Sequence, residues 1–130
     1  YRRQRQMCIR DRVYTDRLAP LSEEFGNNIL ELLKKNSDLD GIFATSDVMA
    51  ANIIRACKKM GKRVPEDISI VGFDDTWIST LTYPSITTIH QPVQEMCEYA
   101  IEAIVKKVKS EKVPSQVVFP VELIDRESTK

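Results

Sequence analysis

The stretch Ile70-Val71-Gly72-Phe73-Asp74-Asp75-Thr76 sets two carboxylates side by side at the end of an apolar run. Paired acids at such a place could hold Mg²⁺ for phosphoryl transfer, which needs several oxygen ligands converging on one ion. Phosphohydrolases that work this way separate their acids as Asp-x-Asp, and here the two are adjacent. Adjacent side chains of an extended chain point to opposite faces, and no third oxygen ligand is identifiable. A different chemistry fits better. One carboxylate can accept two hydrogen bonds at once, from vicinal sugar hydroxyls or a ring N–H, while the other caps the next turn. The plainer alternative is that both acids cap the turn that begins at Thr76.

A second polar cluster, Thr45-Ser46-Asp47, ends the apolar run "GIFA" just before a helix-like pattern. Ser46 lacks a G-x-S-x-G context and a paired base, so it does not read as a nucleophile. A serine cap and an acid in the first turn are what a helix N-terminus needs, and capping alone explains Ser46 and Asp47. The single histidine, His90, precedes Gln91 at the end of a third apolar run. It argues against a histidine-built metal centre or a Ser–His triad, and no Cys or Asp lies near it at ligand spacing. Cys8, Cys57 and Cys97 form no C-x-x-C pair and are odd in number. That fits a reducing cytosol better than a disulfide framework or a zinc site. No catalytic residue, metal or cofactor is expected, and the chain does not read as an enzyme.

The segment "WISTLTYP" (77–84) differs in kind. Trp77, Ile78, Leu81 and Tyr83 are large and apolar but follow neither a strand nor a helix period. They read equally as packing under a loop or as an exposed patch for self-association.

The elements that must position these groups follow from periodicity. Phe25, Ile29, Leu32 and Leu33 predict a helix capped at Ser22, with Glu23 and Glu24 in its first turn. "LDGIFA" (39–44) predicts a short buried strand. Met49, Ile53, Ala56, Cys57 and Met60 mark a second helix, with Lys58 and Lys59 near its end and Gly61 as its C′ residue. "VPED" (64–67) is a turn. "ISIVGF" (68–73) is apolar on both faces, as in a central parallel strand covered by helices on each side. "SITTI" (85–89) is a shorter strand. Pro92 then opens the clearest helix, 92–109, whose stripe includes Val93, Met96, Ile101, Ile104 and Val108. Short strands are expected around "QVVFP" and "VELI". Strands alternating with helices imply a parallel α/β sheet, in which ligands bind outside the carboxyl ends of the strands. All three polar clusters fall there, on one rim.

At 130 residues, with 42% hydrophobic and 29% charged content, the sequence describes one ordinary globular domain. No apolar run approaches the roughly 20 residues of a membrane span, and no signal peptide is visible. The zero net charge conceals an asymmetry. Residues 1–12 carry five Arg and one Asp, and residues 13–130 are left at −4. The Arg-rich start could be a nucleic-acid arm, but it reads better as a non-native, artefactual segment joined without a linker. The remaining body has no basic stripe and is not built to bind DNA by itself.

Taken together, "GIFATSDVMAANIIRACKKMGKRVPEDISIVGFDDTWIS", "YPSITTIHQP" and "VELIDRESTK" resemble the lactose- and galactose-repressor family of bacterial transcription regulators. The likeness covers residues 13–130 and is clearest over 39–130. It implies a type I periplasmic-binding-protein-like effector domain of two α/β lobes closing on a small ligand. This chain would supply the C-terminal lobe only, a parallel sheet flanked by helices, and so an incomplete domain. A helix-turn-helix would lie upstream and would be the only contact with operator DNA.

The resemblance carries roles onto particular residues. Asp74 matches the carboxylate that hydrogen-bonds the effector, a sugar or sugar phosphate. Ser46 matches a polar contact at the helix start, Gln91 a hinge residue near the ligand, and Asp47 a neighbour that also serves the cap. The absence of an aromatic at Leu18-Ala19-Pro20 puts ring stacking on a sugar in doubt. Met49, Ile53, Trp77, Leu81 and Tyr83 would lie in a homodimer interface. Helix 92–109 would belong to the first lobe. Its stripe would then be partly orphaned in residues 13–130, at roughly 1.5–3 kcal/mol for each exposed apolar side chain. The implied regulator works in the cytoplasm, with no membrane contact. The other reading of the same fold is a secreted sugar-binding protein of a transporter or chemoreceptor.

Overall fold

The computed structural model describes residues 23–130. Residues 1–12, the Leu18-Ala19-Pro20 stretch, the expected cap at Ser22 and the side chain of Phe25 lie outside what it describes. Eight elements follow in order: α1 (Glu23–Lys35), β1 (Gly41–Phe43), α2 (Asp47–Lys59), β2 (Ser69–Asp74), α3 (Ile78–Leu81), β3 (Thr87–His90), α4 (Val93–Val108) and β4 (Glu122–Ile124).

The strands form one sheet in the order β1-β2-β3-β4. The first three run parallel and β4 closes the edge antiparallel to β3. In the β2–β3 register Gly72 faces Thr88 and Asp74 faces His90. One face of the sheet carries Ile70, Gly72, Ile86 and Thr88, and α1 and α2 pack over it. The core is closed there by Ile29 and Leu33 from α1, Ala50, Ile53, Ile54 and Cys57 from α2, and Ile68, Ile70 and Ile86. A fully buried aliphatic such as Leu33 contributes about 1.5–3 kcal/mol by leaving water.

Local signals account for α2 in detail. Ser46 is its N-cap, in extended conformation, and its Oγ accepts from Met49 N–H at 3.3 Å. At the other end Gly61 takes a φ of +72°. Lys62 N–H donates to the Cys57 carbonyl and Gly61 N–H to the Lys58 carbonyl, at 3.0 and 3.2 Å. These are the paired bonds of a glycine-terminated helix end, which a side chain with a Cβ would strain.

Four expectations need correction. Pro92 is the N-cap of α4 and not its first helical residue. "QVVFP" forms no strand; only Glu122–Ile124 does, and it pairs with β3. Ile53 is 7% exposed and belongs to the core, so it is not available to a dimer partner. The described helices cover only one face of β2. The opposite face keeps Phe43 at 59% exposure, its ring edge-on to Phe73 at 6.2 Å.

The apolar stripe of the last helix is exposed. No residue of α4 is buried, and Val93, Ile101, Ile104 and Val108 all face solvent. Tyr99 of α4 stands edge-on to Phe119 of the tail at 5.8 Å.

Candidate functional site

The carboxyl ends of β1, β2 and β3 converge, and side chains bind them together. Asp47, first residue of α2, is fully buried. Its Oδ2 accepts from Thr76 N–H at 2.6 Å and Thr76 Oγ1–H at 3.0 Å, and its Oδ1 from Thr88 Oγ1–H at 2.5 Å. One carboxylate thereby joins the start of α2 to the loop after β2 and to β3. Among the described residues no cation touches it; it sits at the N-terminus of α2, where an acid is favourable, and accepts three hydrogen bonds. Asp47, expected as a neighbour of the effector that also serves the cap, lies fully buried beneath the rim as a structural tie. Thr76 and Thr88 were not singled out from sequence. The available signal was Gly72, since a glycine inside a strand marks close approach by another group.

The adjacent acids diverge, but at a turn of left-handed backbone and not through the alternation of an extended chain. Asp74 Oδ1 accepts from Gln91 Nε2–H at 2.8 Å, half-buried on the rim. Asp75 turns inward: its Oδ1 accepts from Arg126 Nη2–H at 2.7 Å and from the Ser79 hydroxyl at 3.3 Å. Its Oδ2 meets His90 Nδ1 at 3.0 Å. Burial alone would raise the Asp75 carboxyl, but the hydrogen bonds and charges of Arg126 and His90 outweigh it and hold the group below its ordinary range. Asp74 and Asp75 have φ values of +101° and +53°, a region that non-glycine residues rarely enter. Such backbone costs about 1–3 kcal/mol per residue and persists where surrounding contacts over-determine it. Here four side chains do so.

The C-terminal "DREST" supplies much of that support, a role not read from sequence. Arg126 Nη1 also donates to the Ile86 carbonyl at 2.9 Å and to Ser79 Oγ at 3.1 Å. Ser128 is buried between strands, its hydroxyl accepting from Thr87 N–H at 2.8 Å and donating to the Ile70 carbonyl at 2.5 Å. Glu127 accepts from the Ser85 N–H and hydroxyl, both at 2.9 Å, and these bonds hold its carboxyl below the ordinary range.

The rim therefore presents Asp74, Gln91, His90 and Ser46. The structure brings Asp74, Gln91 and His90 together directly, and it joins Ser46 to them through its neighbour Asp47. Ser46 Oγ accepts one bond from its own helix and retains a proton to donate. Burial pushes the Cys57 thiol up, which suits an inert core residue and not a nucleophile. Among the described residues, no group of three His, Cys, Asp or Glu side chains is placed to hold a metal ion.

Away from the rim, Trp77, Leu81 and Tyr83 are exposed at 71%, 72% and 88%. Met49 is half-buried against the core, its sulfur accepting from Thr45 Oγ1–H at 3.1 Å. No described helix is long and apolar enough to cross a membrane.

A parallel sheet with a polar ligand-ready rim at its carboxyl end is the architecture of a small-molecule binding lobe. The chain belongs to the periplasmic binding protein-like domain family, whose model matches residues 3–129. Its relatives are transcriptional regulators, not enzymes. It is 42% identical over 101 residues to the HTH-type transcriptional regulator MalR of Clostridium butyricum, a match covering 78% of this chain and 30% of that protein. Among solved structures it resembles the transcriptional regulator CelR–cellobiose complex, with a TM-score of 0.75 and 33% identity over 79% of this chain and 32% of that one. It also resembles the lac repressor dimer bound to operator and the anti-inducer ONPF, with a TM-score of 0.74 and 28% identity over 79% of this chain and 36% of that one. The chain spans about a third of the length of the curated relatives it matches.

Proposed function

We propose that this chain is the C-terminal part of the effector-sensing and dimerisation region of a bacterial transcriptional regulator, and that its rim binds a sugar. The observation that carries the reading is Asp74. Its carboxylate stands half-buried at the carboxyl end of β2, with Oδ1 held by Gln91. The second oxygen is left to accept from a ligand, and Ser46 offers a hydroxyl proton beside the N-terminus of α2. The Asp74 carboxylate on this rim favours a neutral sugar, rich in hydroxyl donors, over a sugar phosphate. The bound cellobiose of one similar structure supports the same class of ligand.

The remaining roles follow from this reading. Trp77, Leu81 and Tyr83, with Met49 at the margin, form the apolar surface that meets a second copy. Residues 13–130 are the native body, and helix 92–109, with its exposed stripe, packs in the first lobe of the same domain. Operator DNA is contacted only through a helix-turn-helix outside this chain, and the regulator acts in the cytoplasm. Sugar binding closes the lobes and shifts the population of the DNA-binding geometry. The kinship with DNA-binding regulators favours this over a secreted sugar-binding protein.

The test is Asp74→Ala in the full-length protein, titrated with the sugar that releases wild type from operator DNA in a panel of pentoses, hexoses and disaccharides. Loss of charged hydrogen bonds of about 1.5–3 kcal/mol each weakens sugar binding roughly tenfold to a hundredfold. Operator affinity without sugar stays at the wild-type value. Unchanged sugar affinity in the variant refutes the assignment.

A further inference from the structure

Two side-chain hydrogen bonds close a ring at the rim. Asp74 and Asp75 end β2, and His90 and Gln91 end β3. Gln91 Nε2–H donates to Asp74 Oδ1 at 2.8 Å and His90 Nδ1 meets Asp75 Oδ2 at 3.0 Å. Two backbone links and two side-chain bonds thus form one closed circuit, with Asp74 and His90 as register partners across the sheet. We propose that His90 is a proton-sensitive positioning residue that sets the orientation of Asp74, acting through Asp75 and Gln91.

The geometry favours transmission over local absorption. Asp75 cannot slide inward, because Arg126 at 2.7 Å already holds its other oxygen. The Asp74–Asp75 backbone occupies a φ region with little room for adjustment in residues that carry a Cβ. A changed pull on Asp75 Oδ2 therefore turns the peptide that carries Asp74. The same change at His90 shifts the adjoining Gln91, the partner of Asp74 on the other side. Each arm of the circuit ends on the same carboxylate.

Imidazole is the side chain whose ordinary charge change falls within roughly pH 5 to 8, and His90 is the imidazole of the circuit. A neutral ring can donate to Asp75 from Nδ1 in one tautomer only. The imidazolium donates there always and adds its charge. The charged groups around it are Asp75, its register partner Asp74, its β4 register partner Glu122, and Arg126 beyond Asp75. Three of these four are acids, so the ring sits where protonation changes its attractions most. Its side chain is 48% exposed, and solvent reaches it without any opening of the core. Acid thus tightens the circuit, and rising pH loosens it.

This inference rests on reading Asp74 as the effector contact, and its test needs no sugar. Full-length protein carrying ¹³C-aspartate and ¹⁵N-glutamine is followed by NMR from pH 5 to 8. The Asp74 carboxyl carbon and the Gln91 side-chain amide are expected to shift with one common inflection. His90→Asn keeps a donor near the Nδ1 position without a titrating ring, and it removes the inflection. Asp75→Asn retains an oxygen for Arg126 and leaves His90 in place, but it reduces the Asp74 response by at least half. Failure of the two wild-type signals to share an inflection overturns the proposal. Equal amplitudes in wild type and Asp75→Asn also overturn it, because they mean a direct field effect from the ring. Should Asp75→Asn not fold, the exposed His90→Asn decides on the first criterion. Normal sugar binding by Asp74→Ala would remove the effector reading while leaving this coupling measurable, so the two failures are distinguishable.

Discussion

The Asp47 carboxylate lies directly over the α-carbon of Gly72: a Cβ added there would stand 2.5 Å from Asp47 Oδ1 and 3.0 Å from Ile86 Cγ2. The glycine is a steric requirement of the buried acid above it. Asp47 is not the flexible end of a surface chain, since three donors fix it.

Gly72→Ala should therefore destabilise the protein by about 1–3 kcal/mol, the usual cost of overpacking a filled core. Asp47→Ala should cost about 3 kcal/mol, because buried donors on Thr76 and Thr88 lose their acceptor. The double variant should cost less than the two losses added, since removing the carboxylate also removes the clash. Urea midpoints of the full-length protein measure all three. Strict additivity would show that the two residues do not share the space.

This relationship also marks where sequence was legible. The second helix was readable because its signals are local: Ser46, Lys58, Lys59 and Gly61 each act within a turn or two of their own position. β2 was readable from its uniformly apolar run, although the described helices bury only one of its faces. The split of Asp74 from Asp75 was expected from strand alternation, but left-handed backbone at both residues produces it. The direction of Asp47 was not readable. A cap residue and a buried tie have the same sequence signature, and only the placement of Thr76 and Thr88, 29 and 41 residues away, separates them. The same holds for Arg126, whose carboxylate partner lies 51 residues upstream. "QVVFP" misled for the opposite reason. β-branched residues favour strand locally, but pairing needs a free edge, and β4 takes the edge of β3 with Glu122–Ile124.

The Asp75–Arg126 pair gives stability a defined acid limb. The Asp75 carboxyl is depressed in the folded state, so its contribution is complete above the unfolded carboxylate value of about 3.9 and is lost as pH falls through the lower folded value. Arg126→Met removes the strongest of its partners and two further bonds from the same guanidinium. The expected cost is about 2–4 kcal/mol near pH 7, since both side chains are largely buried. The gap between wild type and variant should narrow as pH drops below about 4. It should not close fully, because the bonds to Ser79 and the Ile86 carbonyl do not depend on Asp75. A gap that widens toward acid pH would contradict this account.

The exposed Trp77, Leu81 and Tyr83 predict an effect of another kind. All three lie in or beside the short α3, with more than two thirds of each side chain in solvent. They contribute little to the core that Ile53 and Ile54 close. If this surface meets a second copy, Trp77→Ala should weaken dimerisation of the full-length protein at least thirtyfold, the effect of losing about 2 kcal/mol or more at an interface hot spot. Leu81→Ala should act in the same direction and less strongly. Neither should lower the urea midpoint measured under monomeric conditions by more than about 0.5 kcal/mol equivalent. Ile53→Ala should show the reverse pattern, losing about 2–5 kcal/mol of stability through a core cavity, with the dimer constant of the folded protein unchanged. Sedimentation equilibrium separates the two patterns. An unchanged profile for both Trp77→Ala and Leu81→Ala would exclude this patch as the dimer surface.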